Sequence, residues 1–539
     1  MKITRNSILI NKSSFSPITN ATKRHSFLIV LMSLTIISIG AFIVYLQNHL
    51  GLSYNDARSH LDIGRRIVEG LKPGLAQIGS VWLPLPHLLM VPTIWNDFMW
   101  HTGLSGAIIS MVSFVGTGIL VYLFLKELKA SLLARIMGVF VFAANINVLY
   151  LQSTAMTELL LLFTMTAGVY ELFKWQKEEN LLRLIKASFW IMLATLVRYD
   201  GWFLFLYAGL LVLILAWRKK NFTTAEGTAF FYTTLAGVGI ALWFLWNLLI
   251  FKDPLYFALG PFSAHAQQQQ LASAGVLATQ KNLLLSMKVY LYALAYNTNA
   301  FILFLGTLGA IALWCSKKVA GNLRLVSTAL IAPFVFNIVA LYLGFSVLFV
   351  QGISGDTWFN VRYGIMMAPS IAIFTGYLIH RFRPLQGLLI GLILFVTAFT
   401  FLNNDAVTID DARVGSSQKN VSEVSGWINQ HTKNTPGFIL ISAASHDAII
   451  FSSELPMSKF IHEGTGAYWE KATVNPDKWA RWIVMRTNDE NDLTFKAVSK
   501  VPGYKDYSLV KHFPFADIYE LKPQYLSQLQ TKPVLGKQK

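Results

Sequence analysis

Residues 27–46 read "FLIVLMSLTIISIGAFIVYL", a run with no charge. As a helix it spans the roughly 30 Å hydrocarbon core of a bilayer. Just beyond it, residues 54–70 read "YNDARSHLDIGRRIVEG", with two aspartates, three arginines, a histidine and a glutamate in one short stretch. This alternation of long charge-free blocks with short ionisable ones recurs along the chain. It is the pattern of a polytopic membrane protein.

Composition agrees. The 539 residues are 54% hydrophobic and only 14% charged, where a soluble domain carries about a quarter charged residues. Mean hydropathy is +0.48. The net charge of +17 invites a nucleic-acid reading, but the basic residues lie in short loops between apolar blocks, as the positive-inside rule predicts. Nucleic acid is therefore set aside as a partner. One cysteine, Cys315, excludes an internal disulfide and a cysteine-rich metal or redox site.

Charge-poor segments of spanning length fall at 27–46, 102–125, 132–151, 156–174, 184–198, 201–217, 227–250, 298–315, 323–350, 362–380 and 386–402, about eleven spans. The fold class expected is mainly α, with a small C-terminal extracytoplasmic α/β domain. Lys126, Lys129 and Arg135 mark one loop, Lys174, Lys177, Arg183 and Lys186 the next alternate one. "WRKK" (217–220), "SKK" (316–318) and "HRFRP" (380–384) mark the rest. Every second connection is basic, which places the N-terminus in the cytoplasm and the C-terminus outside a plasma or inner membrane. The basic tail 1–26 resembles a signal-peptide n-region, but the run after it is too long for an h-region and reads as a retained helix.

The outer side then receives the first loop (47–101), "QSTAMTE" (152–158), "RYDGW" (198–202), the loop 252–282, "GISGDTWFNVRYG" (352–364) and all that follows residue 403. "QQQQ" (267–270) reads as flexible loop. The tail changes character: "GFILIS", "KFIHEG", "RWIVMRT", "YSLVKHF" and "ADIYEL" are short apolar runs with helical patterns between them. They predict a small α/β domain over 403–525 and a disordered end, 526–539.

The spans are nearly free of charge, whereas a transporter carries ionisable groups near the midplane. The ionisable residues gather at outer span ends, favouring chemistry at the outer surface. Asp56 and His60 stand at i, i+4 on one face of an amphipathic helix, and Arg58, Asp62 and Arg66 are spaced to form a surface ion-pair ladder. "VWLPLPHLLMVP" holds Trp82, His87 and three prolines within nine residues, which suits a segment dipping into the interface. Glu158 opens a span, where the helix dipole favours a carboxylate. Arg198 and Asp200 are spaced to pair. Arg362, followed by Tyr363, stands at an outer helix start and is the best candidate for an anion contact. "SHD" (445–447) and "IHEG" (461–464) read as lone surface residues.

These features together resemble the GT-C superfamily of integral-membrane glycosyltransferases, most closely its protein O-mannosyltransferase-like branch, glycosyltransferase family 39. The resemblance rests on the early outer acid in "NDARSHLDIGRRIVEG", the return "VWLPLPHLLMVP", the acid in "MTE" and the late "VRYGIMMAP", and covers roughly 25–400. It implies transfer of a sugar from a polyprenyl-phosphate carrier to a glycan, lipid or protein acceptor at the outer face, with inversion. It implies Asp56 as general base and Glu158 as its catalytic helper. His60, Trp82, His87, Arg198, Asp200, Arg362 and Tyr363 would bind substrate, the arginines steadying the leaving phosphate. Many members carry Asp-Glu where this chain has Asn55-Asp56. The Asp56–His60 spacing is closer to oligosaccharyltransferase catalytic subunits, which implies an alternative: en bloc glycan transfer, with a divalent metal held by Asp56 and Glu158. A non-enzymatic lipid or solute transporter is the remaining alternative.

Overall fold

The computed structural model describes residues 16–260, 263–273, 275–415 and 421–534. Part of the expected basic tail (1–15) and the last residues (535–539) lie outside the described residues.

The first helix, α1 (Ser16–Gln47), leads into the shorter helices α2 (Asn55–Val68), α3 (Leu85–Ile94) and α4 (Asp97–His101). The bundle continues with α5 (Leu104–Glu127), α6 (Leu132–Ala143), α7 (Ile146–Leu151), α8 (Glu158–Glu178), α9 (Leu181–Thr195) and α10 (Asp200–Lys219). Next come α11 (Phe222–Ala236), α12 (Val238–Phe251), α13 (Tyr256–Leu259), α14 (Ala264–Ser273), α15 (Leu283–Thr298) and α16 (Ala300–Trp314). The bundle closes with α17 (Gly321–Ser327), α18 (Ala332–Leu343), α19 (Ala368–Arg381), α20 (Gln386–Leu402) and α21 (Val407–Val414). Asparagines start many of them: the side chains of Asn96, Asn145, Asn180, Asn221, Asn282 and Asn299 accept backbone N–H bonds that the first helical turn leaves unpaired.

Among the described residues six helices are long and apolar enough to cross a membrane, or up to eight if each of two bent pairs is one span. The outward faces of α1 and α20 are apolar and bare: Met32, Ile36, Phe395 and Leu402 are all exposed. Water would not tolerate such faces, whereas lipid does.

Several expected segments differ in detail. The run 132–151 is not one helix, because Asn145 caps a new one at α7. The segment 323–350 stops at Leu343, where Gly344 takes a left-handed conformation (φ 76°) that ends the helix, although the chain stays apolar to Val350. The segment at 298–315 is the second arm of a helix pair, α15 and α16, bent by 107°. The "QQQQ" tract lies within helix α14 rather than in an open loop. The expected disordered end, 526–539, is ordered at its start: the 3-10 turn Pro523–Gln528 runs into it, and the Gln530 N–H donates to Lys478 O at 2.9 Å.

After α22 (Ser422–Thr432) the five short apolar runs are the strands β1 (Phe438–Ile441), β2 (Phe460–Ile461), β3 (Ala480–Met485), β4 (Tyr507–His512) and β5 (Asp517–Leu521). They pair in the order β2-β1-β3-β5-β4, parallel around β1 and antiparallel around β5. Strand alternation divides the buried side chains. Ile439, Ile441, Trp482, Val484 and Ile518 join the cluster continuous with the helical bundle. Phe438, Leu440, Ile483, Met485 and Leu521 form a second cluster on the other face. The crossover helix after β1, α23 (Ala443–Ser452), lies against α2. Phe451 meets the edge of Trp100 (5.9 Å), the Met457 N–H donates to Glu69 (3.0 Å), and Gln77 donates to Gly464 O (2.7 Å).

The "SHD" and "IHEG" residues are not lone surface groups. Glu463 accepts the Ala443 and Ala444 N–H groups at the start of α23. Buried His446 bonds to Asp492 at 2.6 Å. Asp492 also accepts from the N–H groups of Arg486, Thr494 and Phe495. Burial alone would raise its carboxyl, but the bond and charge of His446 and the backbone donors hold it below the usual carboxylate range. The folded value thus lies below the unfolded one. The resulting stability is present above the unfolded value of about 4 and is lost as pH falls through the depressed value. Replacing Asp492→Ala leaves these donors unpaired and should destabilise the sheet by about 3 kcal/mol. Thermal unfolding in detergent should show a lower midpoint at pH 7, with the gap to wild type closing in acid; equal midpoints at pH 7 would refute this role.

Candidate functional site

α2 begins immediately after Tyr54, and its first turn carries Asp56. Arg362 sits in a 3-10 turn (Val361–Met367) that leads into α19. Glu158 is the first residue of α8 and Asp411 lies on α21. These four remote segments meet at one point. Arg362 Nη2 donates to Asp56 Oδ2 (2.5 Å) and its Nε to Glu158 Oε1 (3.1 Å), while Nη1 lies 3.9 Å from Asp411 Oδ2. Tyr54 Oη donates to Asp411 Oδ2 (3.1 Å), and the guanidinium stacks 4.8 Å from the Tyr54 ring and 5.4 Å from that of Tyr363. A single delocalised fork can serve several oxygens at once, which a lysine cannot.

Exposure separates the acids. The side chains of Glu158 and Asp411 are 0% exposed, while that of Asp56 is 38% exposed. Asp56 Oδ1 takes no hydrogen bond among the described residues. Asp56 is the one acid of the cluster with a substantially exposed side chain.

Arg198 forms the second half of the cluster. It donates to Glu158 Oε1 (3.3 Å) and to Asp200 Oδ2 (3.4 Å), and its guanidinium lies 4.8 Å from the Tyr363 ring. The expected Arg198–Asp200 pair is present, shared with Glu158. Four carboxylates therefore surround two guanidiniums. Arg362 is almost fully buried and has no charge to spare for a further anion, whereas Arg198 keeps 21% of its side chain exposed.

His60 lies one turn beyond Asp56. Its Nδ1 shares a proton with His87 Nε2 (2.9 Å), and its ring packs 4.3 Å from Trp82. Burial, then the charges of Arg198 and Arg362, push His60 down to about 3, and burial lowers His87 well below the usual range. Both imidazoles are neutral at pH 7, so they shape the wall beside Asp56 without adding charge.

The ion-pair ladder of Arg58, Asp62 and Arg66 does not form. α2 is no surface helix: nine of its 14 residues are buried, under α3 on one side and α23 on the other. Asp62 is buried and accepts from Trp100 Nε1 (3.2 Å), and burial raises its carboxyl well above the usual range. Arg58 instead donates to Leu52 O (3.0 Å). The paired arginine is Arg65, which bridges Glu69 and Asp97 and donates to the carbonyls of Ile94 (2.9 Å) and Trp95 (2.6 Å). Reading the sequence missed Asp411 and Tyr54, which have no unusual spacing. It set Asp447 aside with the other "SHD" residues, whereas its carboxylate accepts from Ser59 on α2 and is raised by burial.

A divalent metal between Asp56 and Glu158 does not suit these residues. The Arg362 guanidinium occupies the position between the two carboxylates and supplies the positive charge there. Among the described residues no three His, Cys, Asp or Glu side chains are placed so as to hold a metal ion together.

No family model and no curated protein matches the chain. Solved structures do. ArnT from Cupriavidus metallidurans bound to undecaprenyl phosphate superposes with a TM-score of 0.54 at 10% identity, over 90% of this chain and 98% of that one. The same protein in its apo state gives 0.51 at 10% identity over the same shares. The apo oligosaccharyltransferase of Archaeoglobus fulgidus gives 0.50 at 12% identity, over 86% of this chain and 70% of that one. At such identities the likeness shows a shared fold alone, the one seen in ArnT and in the oligosaccharyltransferase.

Proposed function

We propose that the protein transfers a sugar from a polyprenyl-phosphate-linked donor to an acceptor at the outer face of the membrane, with Asp56 as general base. The observation that carries this reading is the asymmetry of the Arg362 cluster: three acids are tied to one guanidinium, and of the three only Asp56 is exposed. The neighbours add support, since one was solved with undecaprenyl phosphate and another is an oligosaccharyltransferase. The chain crosses the membrane about eleven times in this reading, with the N-terminus inside and the sheet, residues 403–525, outside.

The chemistry is a single displacement. The acceptor oxygen forms a bond to the anomeric carbon as its proton passes to Asp56 Oδ1. The bond from that carbon to the carrier phosphate breaks, and the phosphate leaves with the electron pair. Attack opposite the leaving group inverts the centre. Arg362 holds Asp56 in place, Glu158 and Asp411 hold Arg362, and Arg198, the more exposed guanidinium, steadies the departing phosphate. Trp82, His60 and His87 wall the sugar.

Mass spectrometry of envelope glycans and lipids from cells with and without the gene tests the activity, and the mass of the attached unit separates single-sugar from oligosaccharide transfer. Asp56→Asn should lower product by about a hundredfold or more at normal membrane levels. Undiminished product would remove Asp56 from this role. Arg362→Lys keeps a charge but loses the fork, so it should cost activity and also about 3 kcal/mol of stability, read as a lower unfolding midpoint. A stable, active Arg362→Lys protein would argue against the cluster as the organising element.

The topology has its own test. Cys315 is exposed and sits on the side assigned to the cytoplasm. A membrane-impermeant maleimide should leave it unlabelled in intact cells and label it after permeabilisation. Labelling in intact cells would invert the assignment.

A further inference from the structure

Away from the Arg362 cluster the bundle contains a cavity of about 320 Å³. Two helix breaks build it. One is the α6–α7 junction at Asn145, and the other is the 107° bend between α15 and α16 at Asn299, which adopts a left-handed φ of 67°. The breaks clasp each other: the side-chain amides of Asn145 and Asn147 donate to Asn297 O, at 2.8 Å and 3.2 Å. Interrupted helices at membrane depth survive only where protein buries them or where they line a cavity, and such interruptions repeatedly build binding sites.

The third wall is α20, through Val396, Thr397 and Thr400. Within the span that contains α20 almost nothing is buried, so this wall is thin and lipid-facing. In the topology proposed above, these residues lie toward the outer end of α20, level with the outer leaflet.

The lining states what fits. No lysine, arginine, histidine or glutamate contributes to it, and Asp405 is its only charged residue. An anion would find no counter-charge. An acyl chain alone would set hydrocarbon against the neutral polar side chains of Tyr292, Tyr296, Asn299 and Thr397 in the lining. Asn297 is 1% exposed and works as a brace in the wall: its Nδ2 donates to the carbonyls of Ala293 (2.8 Å) and Val361 (2.7 Å).

We propose that this cavity binds the uncharged, hydroxyl-bearing headgroup of an outer-leaflet lipid, of about the size of one hexose. The site also touches the Arg362 cluster without being part of it. Asn297 holds the carbonyl of Val361, the residue before Arg362. Asn147 Oδ1 accepts from the N–H and hydroxyl of Thr408 (3.0 and 2.8 Å), on the helix that carries Asp411. An occupant thus braces both segments that position the buried guanidinium.

Binding can be measured without turnover, so the result is independent of the transfer reaction proposed above. The full chain in detergent is incubated with monoglucosyl diacylglycerol or with phosphatidylglycerol of matched chains, and retained lipid is read by native mass spectrometry. The wild type should retain the glucosyl lipid about tenfold better than the anionic one. Thr397→Trp projects a ring into the cavity from the loosely packed α20 and should cut that retention about tenfold. Ala300→Phe fills the same space from α16, so a misfolded first variant does not end the test. Both should keep the wild-type unfolding midpoint. Equal retention of the two lipids, or retention unchanged in folded filled variants, overturns the proposal. Displacement of the glucosyl lipid by free methyl glucoside at equal strength overturns its lipid part.

Discussion

The structure turns on a buried guanidinium. Arg362 is held among Asp56, Glu158 and Asp411, from segments that lie far apart in the chain. Removing charges from water costs several kcal/mol per ion, and an apolar cluster of the same volume is usually no less stable. The arrangement is therefore weak evidence for stability and better evidence for a geometry worth holding. It fixes the start of α2 against the starts of α8 and α19, and it draws α21 back onto the bundle from the far side. Arg198 extends the same logic to the start of α10 through Glu158 and Asp200.

The C-terminal sheet takes part in this geometry. α23 and the loop before β2 cover α2, so the helix that carries Asp56 is clamped between bundle and sheet. Glu69, Gln77 and Trp100 of the first loop all make contacts across that boundary. A helix that periodicity alone describes as amphipathic and interfacial becomes a central strut. Its buried acid, Asp62, is raised by the same covering.

Much of the fold was legible because lipid imposes a simple code. Charge-free blocks of span length and alternating basic loops needed no knowledge of packing. Helix ends were harder to read, since Gly344 and Asn145 interrupt helices inside runs that remain apolar. Asp56, Glu158, Arg198 and Arg362 stood out because charge at a span end demands a reason. Asp411 did not, because it lies in a segment that is polar anyway, and Asp447 was set aside because nothing in its own segment shows that α2 will cover it. The ladder of Arg58, Asp62 and Arg66 failed for a related cause. A spacing of four places side chains on one helix face but does not say which other element will cover that face.

The same contrast separates the two sites in the bundle. At the Arg362 cluster the polar groups are ionic and saturate one another, leaving Asp56 as the one exposed carboxylate. At the cavity between the two helix breaks they are neutral amides and hydroxyls. An ionic centre with a single exposed carboxylate suits proton removal, because its charges are already fixed in place and need not reorganise when charge develops. A neutral pocket walled by a thin helix suits recognition of something that arrives through the lipid. Asn147 and Asn297 stand between the two: both line the neutral pocket, and they hydrogen-bond the backbone of Thr408 and Val361, near Asp411 and beside Arg362. Their amides are satisfied on the cluster side, so a change in the pocket reaches the guanidinium through backbone hydrogen bonds rather than through charge.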